Sequence, residues 1–301
     1  MAENKFEVII VGGSYAGLSA AMALGRSLRK TLVIDSGKPC NLTTPHSHNF
    51  LTQDGKSPKE ISTVAREQVE KYETISFHEG KAIKGNKTDT GFEITTENGE
   101  TFESKKLIFA TGVVDEIPPI KGFAECWGIS LIHCPYCHGY EYRDKKTGII
   151  ANEDKALHIA SLVKNLTDDV TIFTRGKANF NEEQLEKLKN HNIEIIETEI
   201  TELNHDNGYI KNLLLADGQK IDFDAVYAAL PFKQHSDIPE KLGCELIETG
   251  HIKMDHFQKT NIPGLFVCGD NSSMMRSVAN AVMTGNLTGA MVNMELVTDW
   301  F

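Results

Sequence analysis

The sequence predicts an α/β protein, and two strand–loop–helix segments carry this prediction. Near the N-terminus, an apolar strand over residues 5–11 leads through a glycine-rich loop into a helix over residues 18–28, which has small residues on its inner face. Residues 147–150 form a second apolar strand, and a helical pattern begins after it at Asp154. A strand that passes through a short loop into a helix is the unit from which dinucleotide-binding folds are built.

The N-terminal loop has the residue types that a bound dinucleotide requires. Gly12 permits a tight turn, and Gly17 lets the helix approach the strand, so that the helix N-terminus can face a pyrophosphate. Ser14 stands where a middle glycine is usual, and its small side chain strains a close phosphate approach without blocking it. Asp35, after a second strand over residues 31–34, can accept hydrogen bonds from a ribose. The candidate ligands are Gly12, Gly13, Ser14, Ala16, Gly17 and Asp35. A glycine-rich turn without a ligand is the alternative.

Two later segments indicate that the dinucleotide is a flavin. Residues 260–270 read as a strand that ends in Gly269-Asp270, where the carboxylate can accept a hydrogen bond from a ribityl hydroxyl. The long helix that follows can direct its positive N-terminal end at the N1–C2=O region of a reduced flavin. A third strand, starting at Leu107, closes on a small turn that can return the chain to the same ligand. The candidate residues in these segments are Ala110, Thr111, Gly112, Gly269, Asp270, Ser277, Val278 and Ala279.

A dithiol motif, Cys134-Pro-Tyr-Cys137-His138, lies in the middle of the chain. The same spacing serves zinc, disulfides and haem attachment, but the other four cysteines have no partner at ligand spacing. Beside a flavin the pair acquires a redox chemistry, because a flavin takes two electrons from a dithiol or returns them to a disulfide. Pro135 suits the first turn of a helix, near whose N-terminus a thiolate is stabilised. An incidental or structural pair is the alternative.

The three flavin-type segments, in this order and spacing, resemble those of the flavoprotein pyridine-nucleotide disulfide reductases. The small, thioredoxin-reductase-like branch fits best, because the dithiol lies mid-chain and no C-terminal dimerisation domain follows. The resemblance implies FAD, a homodimer and two Rossmann-like (three-layer ββα) nucleotide-binding domains, the second inserted into the first. The FAD-binding domain is expected over residues 1–117 and 249–301, and an NAD(P)-binding-like domain that carries the dithiol over residues 118–248.

The same resemblance implies distinct roles for the residues of the dithiol motif. Cys137 is expected to face the flavin and form the charge-transfer thiolate, whereas Cys134 exchanges with the substrate. His138 stands where the family usually has an acidic residue, and it is the better proton carrier near pH 7. A histidine that only packs against the flanking turn is the alternative.

The middle strand–loop–helix departs from the pattern of NADPH-using relatives, whose loop is rich in glycine. Here the loop reads Ala151-Asn152-Glu153-Asp154, so the backbone cannot easily cradle phosphates and two carboxylates stand where a dianion would bind. Such relatives also carry clustered arginines for the 2′-phosphate, and only Arg175 is found here. We therefore predict poor use of NADPH, although a variant loop that binds NADPH through other groups remains an alternative. The resemblance is closest to dithiol oxidases that act on small molecules and pass electrons from flavin to oxygen.

Residues 44–55 contain two histidines, His46 and His48, at a spacing that can ligate a metal ion. No third ligand is visible in the sequence, so we expect no metal site. Because the family's chain passes the isoalloxazine in this region, His48 is a candidate cofactor-binding residue, and an ordinary loop explains the segment equally well. Cys126 and Trp127, just before the dithiol, are expected to belong to the core.

Composition argues against several classes of partner. The net charge is −11 and no basic cluster is present, which argues against nucleic acid and against an anionic membrane. The start of the chain lacks a signal-peptide pattern, and no apolar run approaches the ~20 residues needed to span a bilayer. Six irregularly spaced cysteines suit a reducing compartment, so we expect a cytoplasmic protein.

These observations lead to one preferred hypothesis and two rivals. The preferred one is an FAD-dependent dithiol oxidase that acts on a small-molecule dithiol through Cys134 and Cys137, with oxygen or another acceptor in place of NADPH. The first rival runs in the other direction, so that NADPH or ferredoxin drives reduction of a thioredoxin-like protein. The second is a flavin redox sensor or partner-binding protein without turnover.

Overall fold

A computed structural model of the chain describes residues 4–301; the first three residues, part of the start considered above for a signal peptide, lie outside it. The chain divides into two compact units. The first comprises the chain up to Leu42, Phe50–Val114 and Phe232–Phe301, and the second comprises Thr43–Asn49 and Asp115–Pro231. Residues 232–248, assigned above to the middle domain, group with the first unit because Ile238 is buried in its core.

The strands of the described residues follow in chain order. They are β1 (Lys5–Val11), β2 (Thr31–Asp35), β3 (Ile75–Glu79), β4 (Ala82–Thr88), β5 (Gly91–Thr96), β6 (Thr101–Phe109), β7 (Val113–Asp115), β8 (Leu131–Ile132), β9 (Thr147–Ile150), β10 (Val170–Phe173), β11 (Glu194–Ile196), β12 (Ile200–Asp206), β13 (Tyr209–Leu215), β14 (Lys220–Asp222), β15 (Ala225–Ala228), β16 (Phe232–Gln234) and β17 (Leu265–Val267).

The helices are α1 (Tyr15–Arg26), α2 (Pro58–Val69), α3 (Phe123–Cys126), α4 (Pro135–His138), α5 (Glu153–Val163), α6 (Glu182–Asn190), α7 (Ile238–Lys241) and α8 (Val278–Thr298), with a 3₁₀ turn at Tyr140–Tyr142. The expected strands at residues 5–11 and 147–150 are confirmed with these bounds. The first helix begins three residues earlier than expected, which places Gly17 inside its first turn. No helix in residues 4–301 is long and apolar enough to cross a membrane.

The first unit is built on a mainly parallel sheet with the order β3-β2-β1-β6-β5-β4, in which β17 also pairs with β6. The pairs β3–β2, β2–β1, β1–β6 and β17–β6 are parallel, so the carboxyl ends of these strands meet at one edge. Helices α1 and α8 pack closely on one another through small residues. A Cβ at Gly285 would overlap the carbonyl oxygen of Ala16, and one at Gly289 would lie 2.6 Å from that of Ala20.

The second unit contains a five-stranded parallel sheet with the order β11-β10-β9-β15-β8, and a three-stranded antiparallel sheet of β12, β13 and β14. The parallel strands β9, β10 and β15 are buried along their whole length, as expected for a sheet covered on both faces. Each unit therefore has a parallel nucleotide-binding type of sheet, which confirms the predicted α/β class with two Rossmann-like folds.

Candidate active site

The glycine loop of the first unit lies where β1 ends, and its glycines are required by close backbone contacts. Gly12 has φ +108°, and a Cβ on it would overlap the carbonyl oxygen of Ala110. A Cβ on Gly17 would overlap the carbonyl oxygen of Gly12, and one on Gly13 would lie 2.7 Å from the Cβ of Asp35. Any larger residue at these positions must therefore move the backbone that connects β1, β2 and β6.

Helix α1 starts inside this loop, and its N-terminus is open to a ligand. Ser14 is the N-cap residue in an extended conformation, and its side chain makes no capping hydrogen bond within the described chain. The first turn contains no acidic residue. The positive end of the helix dipole therefore meets no acidic side chain of its own first turn, which favours an anion such as a pyrophosphate at this position. Asp35 ends the neighbouring strand β2, at the position expected for a ribose-binding carboxylate.

Two buried polar atoms near the ends of β6 and β17 have no hydrogen-bond partner among residues 4–301. One is the hydroxyl oxygen of Thr111, just after β6. The other is Oδ1 of Asn271, a fully buried residue whose Nδ2 donates to the carbonyl oxygen of Phe109 at 2.8 Å. Because buried polar atoms are normally paired, both atoms indicate a site that a ligand completes.

The Gly269-Asp270 turn and the start of α8 complete this edge of the first unit. Gly269 has φ +81°, and its N–H donates to Oγ1 of Thr284 on α8 at 3.1 Å. Nε of Arg276 lies 3.7 Å from a carboxylate oxygen of Asp270, and Sγ of Cys40 lies 3.9 Å from the same oxygen. The N-cap of α8 is Ser277, whose side chain accepts a hydrogen bond from the N–H of Asn280, and the first turn has no acidic residue.

The residues at this edge fit a flavin dinucleotide. They combine an open helix N-terminus, a glycine turn that admits no side chain, two carboxylates at strand ends and two unsatisfied buried acceptors. Such sites lie at the carboxyl ends of parallel strands. A cavity of about 810 Å³ in the same unit is lined by Lys5, Glu103 and Lys106, away from the carboxyl ends of β1 and β6, so it is not the candidate site.

The dithiol motif of the second unit forms a short helix, as its proline predicts. Pro135 is the first residue of α4, and Cys134 is its N-cap residue, with φ −133°. The N–H groups of Cys137 and His138 both donate to the carbonyl oxygen of Cys134, at 3.2 and 3.3 Å. Both cysteines are half-buried, whereas Tyr136 between them is 68% exposed. The motif is therefore a surface turn that a small substrate or a partner can reach.

His138 lies among other titratable side chains of the second unit. Its ring is 6.0 Å from that of His48, edge to face, and Nδ1 of His48 is 3.6 Å from Oε1 of Glu141. Burial lowers the pKa of His138, the neighbouring His48 lowers it further, and Glu141 acts in the opposite direction. The neutral imidazole that results can accept a proton from a thiol. His48, expected above to contact a flavin, is placed beside His138, and its role in cofactor binding stays a prediction.

The loop between β9 and α5 is occupied by its own side chains. Asn152 is the N-cap residue, and its Oδ1 accepts hydrogen bonds from the N–H groups of Glu153 and Asn179. A carboxylate oxygen of Glu153 accepts from Nδ2 of Asn179 at 2.7 Å, and one of Asp154 accepts from Nε2 of Gln184 at 2.7 Å. Glu153 has φ +57°, a left-handed conformation that usually requires glycine.

The arginine expected to meet a 2′-phosphate also has acidic neighbours. Nε of Arg175 lies 4.0 Å from a carboxylate of Glu199, and the N–H of Ala178 donates to a carboxylate of Glu197 at 2.6 Å. The segments that follow β9, β10 and β11 thus contain one arginine, Arg175, and four acidic residues: Glu153, Asp154, Glu197 and Glu199. This charge distribution disfavours a phosphate dianion.

Several residues of these sites were not found from the sequence. Asn271 and Cys40 have no local pattern that marks them as site residues. Glu141 could have been found, because it follows His138 by three positions, which places both residues on one face of a helical turn. Cys126 is confirmed as core: it is fully buried, and burial raises the pKa of its thiol to about 12.

An oxidoreductase with two nucleotide-binding types of sheet and a Cys-x-x-Cys motif is the class of protein that this fold and these segments indicate. A family model described as "Pyridine nucleotide-disulphide oxidoreductase" matches residues 6–285. The chain belongs to this family, and it is a thioredoxin-reductase-like FAD disulfide oxidoreductase that acts on sulfur groups.

Known relatives match this chain over nearly its whole length. Thioredoxin reductase tcpT of Claviceps purpurea is 33% identical, over 98% of this chain and 96% of its own. The crystal structure of an oxidoreductase from Agrobacterium tumefaciens is 38% identical with a TM-score of 0.91, over 98% and 99% of the two chains. A putative thioredoxin reductase TrxB from Bacillus anthracis is 30% identical with a TM-score of 0.93, over 98% of this chain and all of that one.

Proposed function

We propose that the protein is an FAD-dependent dithiol oxidase that converts a small-molecule dithiol into a disulfide and uses an electron acceptor other than NADPH. The observation that carries the proposal is the loop Asn152–Asp154, whose side chains hydrogen bond to Asn179 and Gln184 where a pyridine nucleotide's phosphates would bind. Each such hydrogen bond to a carboxylate contributes up to ~1.5–3 kcal/mol when shielded and less when exposed, and phosphate binding would have to break both.

Electrostatics supports the same conclusion. Glu199 lies beside Arg175, so a charge-assisted pair between Arg175 and a 2′-phosphate competes with Glu199 for the same guanidinium. Two like charges about 4 Å apart in a surface environment repel by a few kcal/mol, roughly 4 at an effective dielectric constant of 20. Repulsion of this kind opposes the affinity that a phosphate would gain from a single arginine.

The chain's own residues account for the thiol chemistry. A thiolate of the substrate attacks Sγ of Cys134 in the Cys134–Cys137 disulfide, which forms a mixed disulfide and releases Cys137 as a thiolate. The second substrate sulfur then displaces Cys134, so that the substrate leaves as a disulfide and both cysteines are reduced. His138 accepts the proton that a substrate thiol loses, since its lowered pKa keeps the imidazole neutral at pH 7.

FAD, when bound, supplies the two-electron acceptor that returns the dithiol to a disulfide, and oxygen or another non-pyridine acceptor then removes the electrons. The residues proposed to hold it are the N–H groups of the α1 first turn, Asp35 at a ribose, Thr111 and Asp270 at the ribityl side, and the N-terminus of α8 at Ser277. We also propose that the protein is cytoplasmic and forms a homodimer. Light scattering of the purified protein tests the dimer.

A second candidate function has support from the relatives, which are named as thioredoxin reductases. In that case the same Cys134 and Cys137 would reduce a thioredoxin-like protein with electrons from NADPH or another donor. The half-exposed motif and the exposed Tyr136 are compatible with a protein substrate as well as a small one.

An anaerobic stopped-flow comparison tests the choice. Dithiothreitol should bleach the flavin absorbance within seconds, and NADPH at equal concentration should do so at least tenfold more slowly, which corresponds to about 1.4 kcal/mol. Steady oxygen consumption with dithiothreitol and air should follow. Rapid bleaching by NADPH would favour the reductase, and no reaction with either would favour the non-catalytic sensor.

The roles of the two cysteines can be separated by mass spectrometry. Reduced Cys137→Ser, which retains Cys134, should form a stable mixed disulfide with a linear disulfide such as cystamine, because no resolving thiol remains. Reduced Cys134→Ser should label more slowly under the same conditions. The reverse order of labelling would exchange the two roles.

A further inference from the structure

The second unit brings together two histidines and a glutamate that are distant in sequence. One ligand atom from each of His48, His138 and Glu141 lies within 4.8 Å of the other two. Nδ1 of His48 lies 3.6 Å from Oε1 of Glu141. Two imidazoles and one carboxylate are the donor set of open catalytic zinc sites, which leave a fourth position for water or substrate.

The three side chains project from backbone segments that are fixed by helical structure or by a hydrogen bond. His138 ends α4 and Glu141 lies in the following 3₁₀ turn, so both side chains come from one continuous helical stretch. His48 is brought to them by the segment Thr43–Asn49, which is tied to the second unit by a 3.1 Å hydrogen bond from Oγ1 of Thr43 to the carbonyl oxygen of Trp127. Ser47, next to His48, is buried. The cluster is thus a fixed feature of this unit.

The dimensions suit a zinc ion after small side-chain movements. Ligand atoms around a tetrahedral zinc ion lie ~3.3 Å apart, since Zn–N and Zn–O bonds are about 2.0–2.1 Å. The His48–Glu141 separation of 3.6 Å is already close to this value, and the other separations, all within 4.8 Å, need to shorten by about 1.5 Å at most. The side chains of His48 and Glu141 are 20% and 37% exposed, so an ion from solvent can reach them.

We propose that His48, His138 and Glu141 form a binding site for Zn²⁺ or a similar divalent transition metal ion, with one coordination position left open. Because the site uses the imidazole of His138, a bound ion prevents His138 from accepting a proton from a thiol. Bound zinc therefore inhibits the oxidation of the dithiol substrate. The inhibitory part rests on the proposed function of His138, whereas the binding part does not.

Direct binding tests the site on the FAD-loaded protein with the dithiol oxidised, after removal of adventitious metal with a chelator. Isothermal titration with free Zn²⁺ held by a weak buffer ligand should show one ion per chain. His48→Ala and Glu141→Gln should each weaken binding by at least about tenfold, as expected for loss of one of three ligands. The matched control is His46→Ala, since His46 is exposed two residues from His48 and lies outside the cluster.

Two further measurements keep the result interpretable. Zinc K-edge EXAFS of the wild-type complex should show only nitrogen and oxygen neighbours, and it does not depend on any variant folding. Cys134→Ser should bind zinc as tightly as the wild type. Sulfur in the zinc shell, or unchanged binding by both His48→Ala and Glu141→Gln, would overturn the proposal.

Inhibition is measured separately, as oxygen consumption with a dithiol at buffered free zinc. Wild type should lose at least tenfold of its rate at zinc saturation and recover on chelation, and Glu141→Gln should require at least tenfold more zinc. Zinc binding without any dithiol turnover would overturn only the proposed function, and turnover that saturating zinc does not affect would overturn the inhibitory role.

Discussion

The loop after β1 and the loop after β9 occupy equivalent positions in two parallel sheets, yet they have opposite chemistry. The first has glycines at Gly12 and Gly17 that admit no Cβ, and an open helix N-terminus without acidic residues. The second has a left-handed Glu153, and its carboxylates are bound by Asn179 and Gln184. The fold supplies a helix end that attracts anions in both places, and the loop residues decide whether an anion can use it.

The largest effect is expected in the first loop. Gly17→Val places a branched side chain against the carbonyl oxygen of Gly12, so α1 must move away from β1 and the phosphate-binding N–H groups move with it. We expect less than a tenth of the wild-type FAD content, measured from flavin absorbance after denaturation. Gly99→Ala is the control: Gly99 has open space around it but φ +82°, so alanine strains a turn outside the loop and should leave the FAD content unchanged. Normal flavin content in Gly17→Val would show that this loop does not hold the dinucleotide.

Glycines in the loop after β9 should give it the phosphate-binding backbone that we propose for the loop after β1. Ala151→Gly, Asn152→Gly and Glu153→Gly together remove one carboxylate and free backbone N–H groups, and one charge-assisted hydrogen bond contributes ~1.5–3 kcal/mol. NADPH affinity, measured by titration, should therefore rise by about tenfold or more. Glu153→Gln alone removes the charge without adding a glycine, so it should raise NADPH affinity by less than the triple change. If the wild type binds NADPH tightly and the triple variant binds it less tightly, the loop is a functional nucleotide site.

The sequence predicts the features of the two loops that depend on neighbouring residues, and it does not predict those that depend on residues far apart in the chain. Local patterns gave β1, β9, the helix start at Pro135 and the loss of glycines after β9. The cluster of His48 with His138 could not be predicted, because segment Thr43–Asn49 joins the second unit through contacts between residues far apart in sequence. The same holds for Asn271, since a single buried amide leaves no periodic signal. The left-handed φ of Glu153 could not be predicted either, because the surrounding loop imposes it against the residue's own preference.

Each unit also contains a histidine, half-buried His138 in the second and buried His251 in the first, that should make it sensitive to acid. Burial lowers the pKa of His138 and of His251, and the charges of His48 and Arg276 respectively lower them further. Both therefore take up protons in the folded protein at a lower pH than in the unfolded chain, where their pKa lies near the ordinary value of 6.5. The unfolded state thus binds more protons below this pH, and the free energy of unfolding falls as the pH drops from about 6.5 towards the lowered folded-state values.

Urea unfolding at pH 7.5, 6.5 and 5.5, with FAD in excess, measures this loss. His251→Gln should lose less stability between pH 7.5 and 5.5 than the wild type, and the exposed His158→Gln should behave as the wild type. A steeper acid loss in His251→Gln would mean that the folded protein stabilises the protonated form of His251.

The smallest effect separates backbone strain from side-chain bonding at Glu153. Glu153→Gly relieves a left-handed conformation that costs a non-glycine residue ~1–2 kcal/mol, but glycine loses ~0.5–1 kcal/mol more chain entropy on folding. The variant also loses an exposed hydrogen bond to Asn179 and the favourable position of a carboxylate at a helix N-terminus, each worth ~0.3–1 kcal/mol. We expect these contributions to cancel to within about 1 kcal/mol of wild-type stability in urea unfolding. Glu153→Ala keeps the strain and loses the same carboxylate, so it should be less stable than Glu153→Gly by about 1 kcal/mol. If alanine and glycine are equally stable, the left-handed conformation is not what distinguishes this loop from the one after β1.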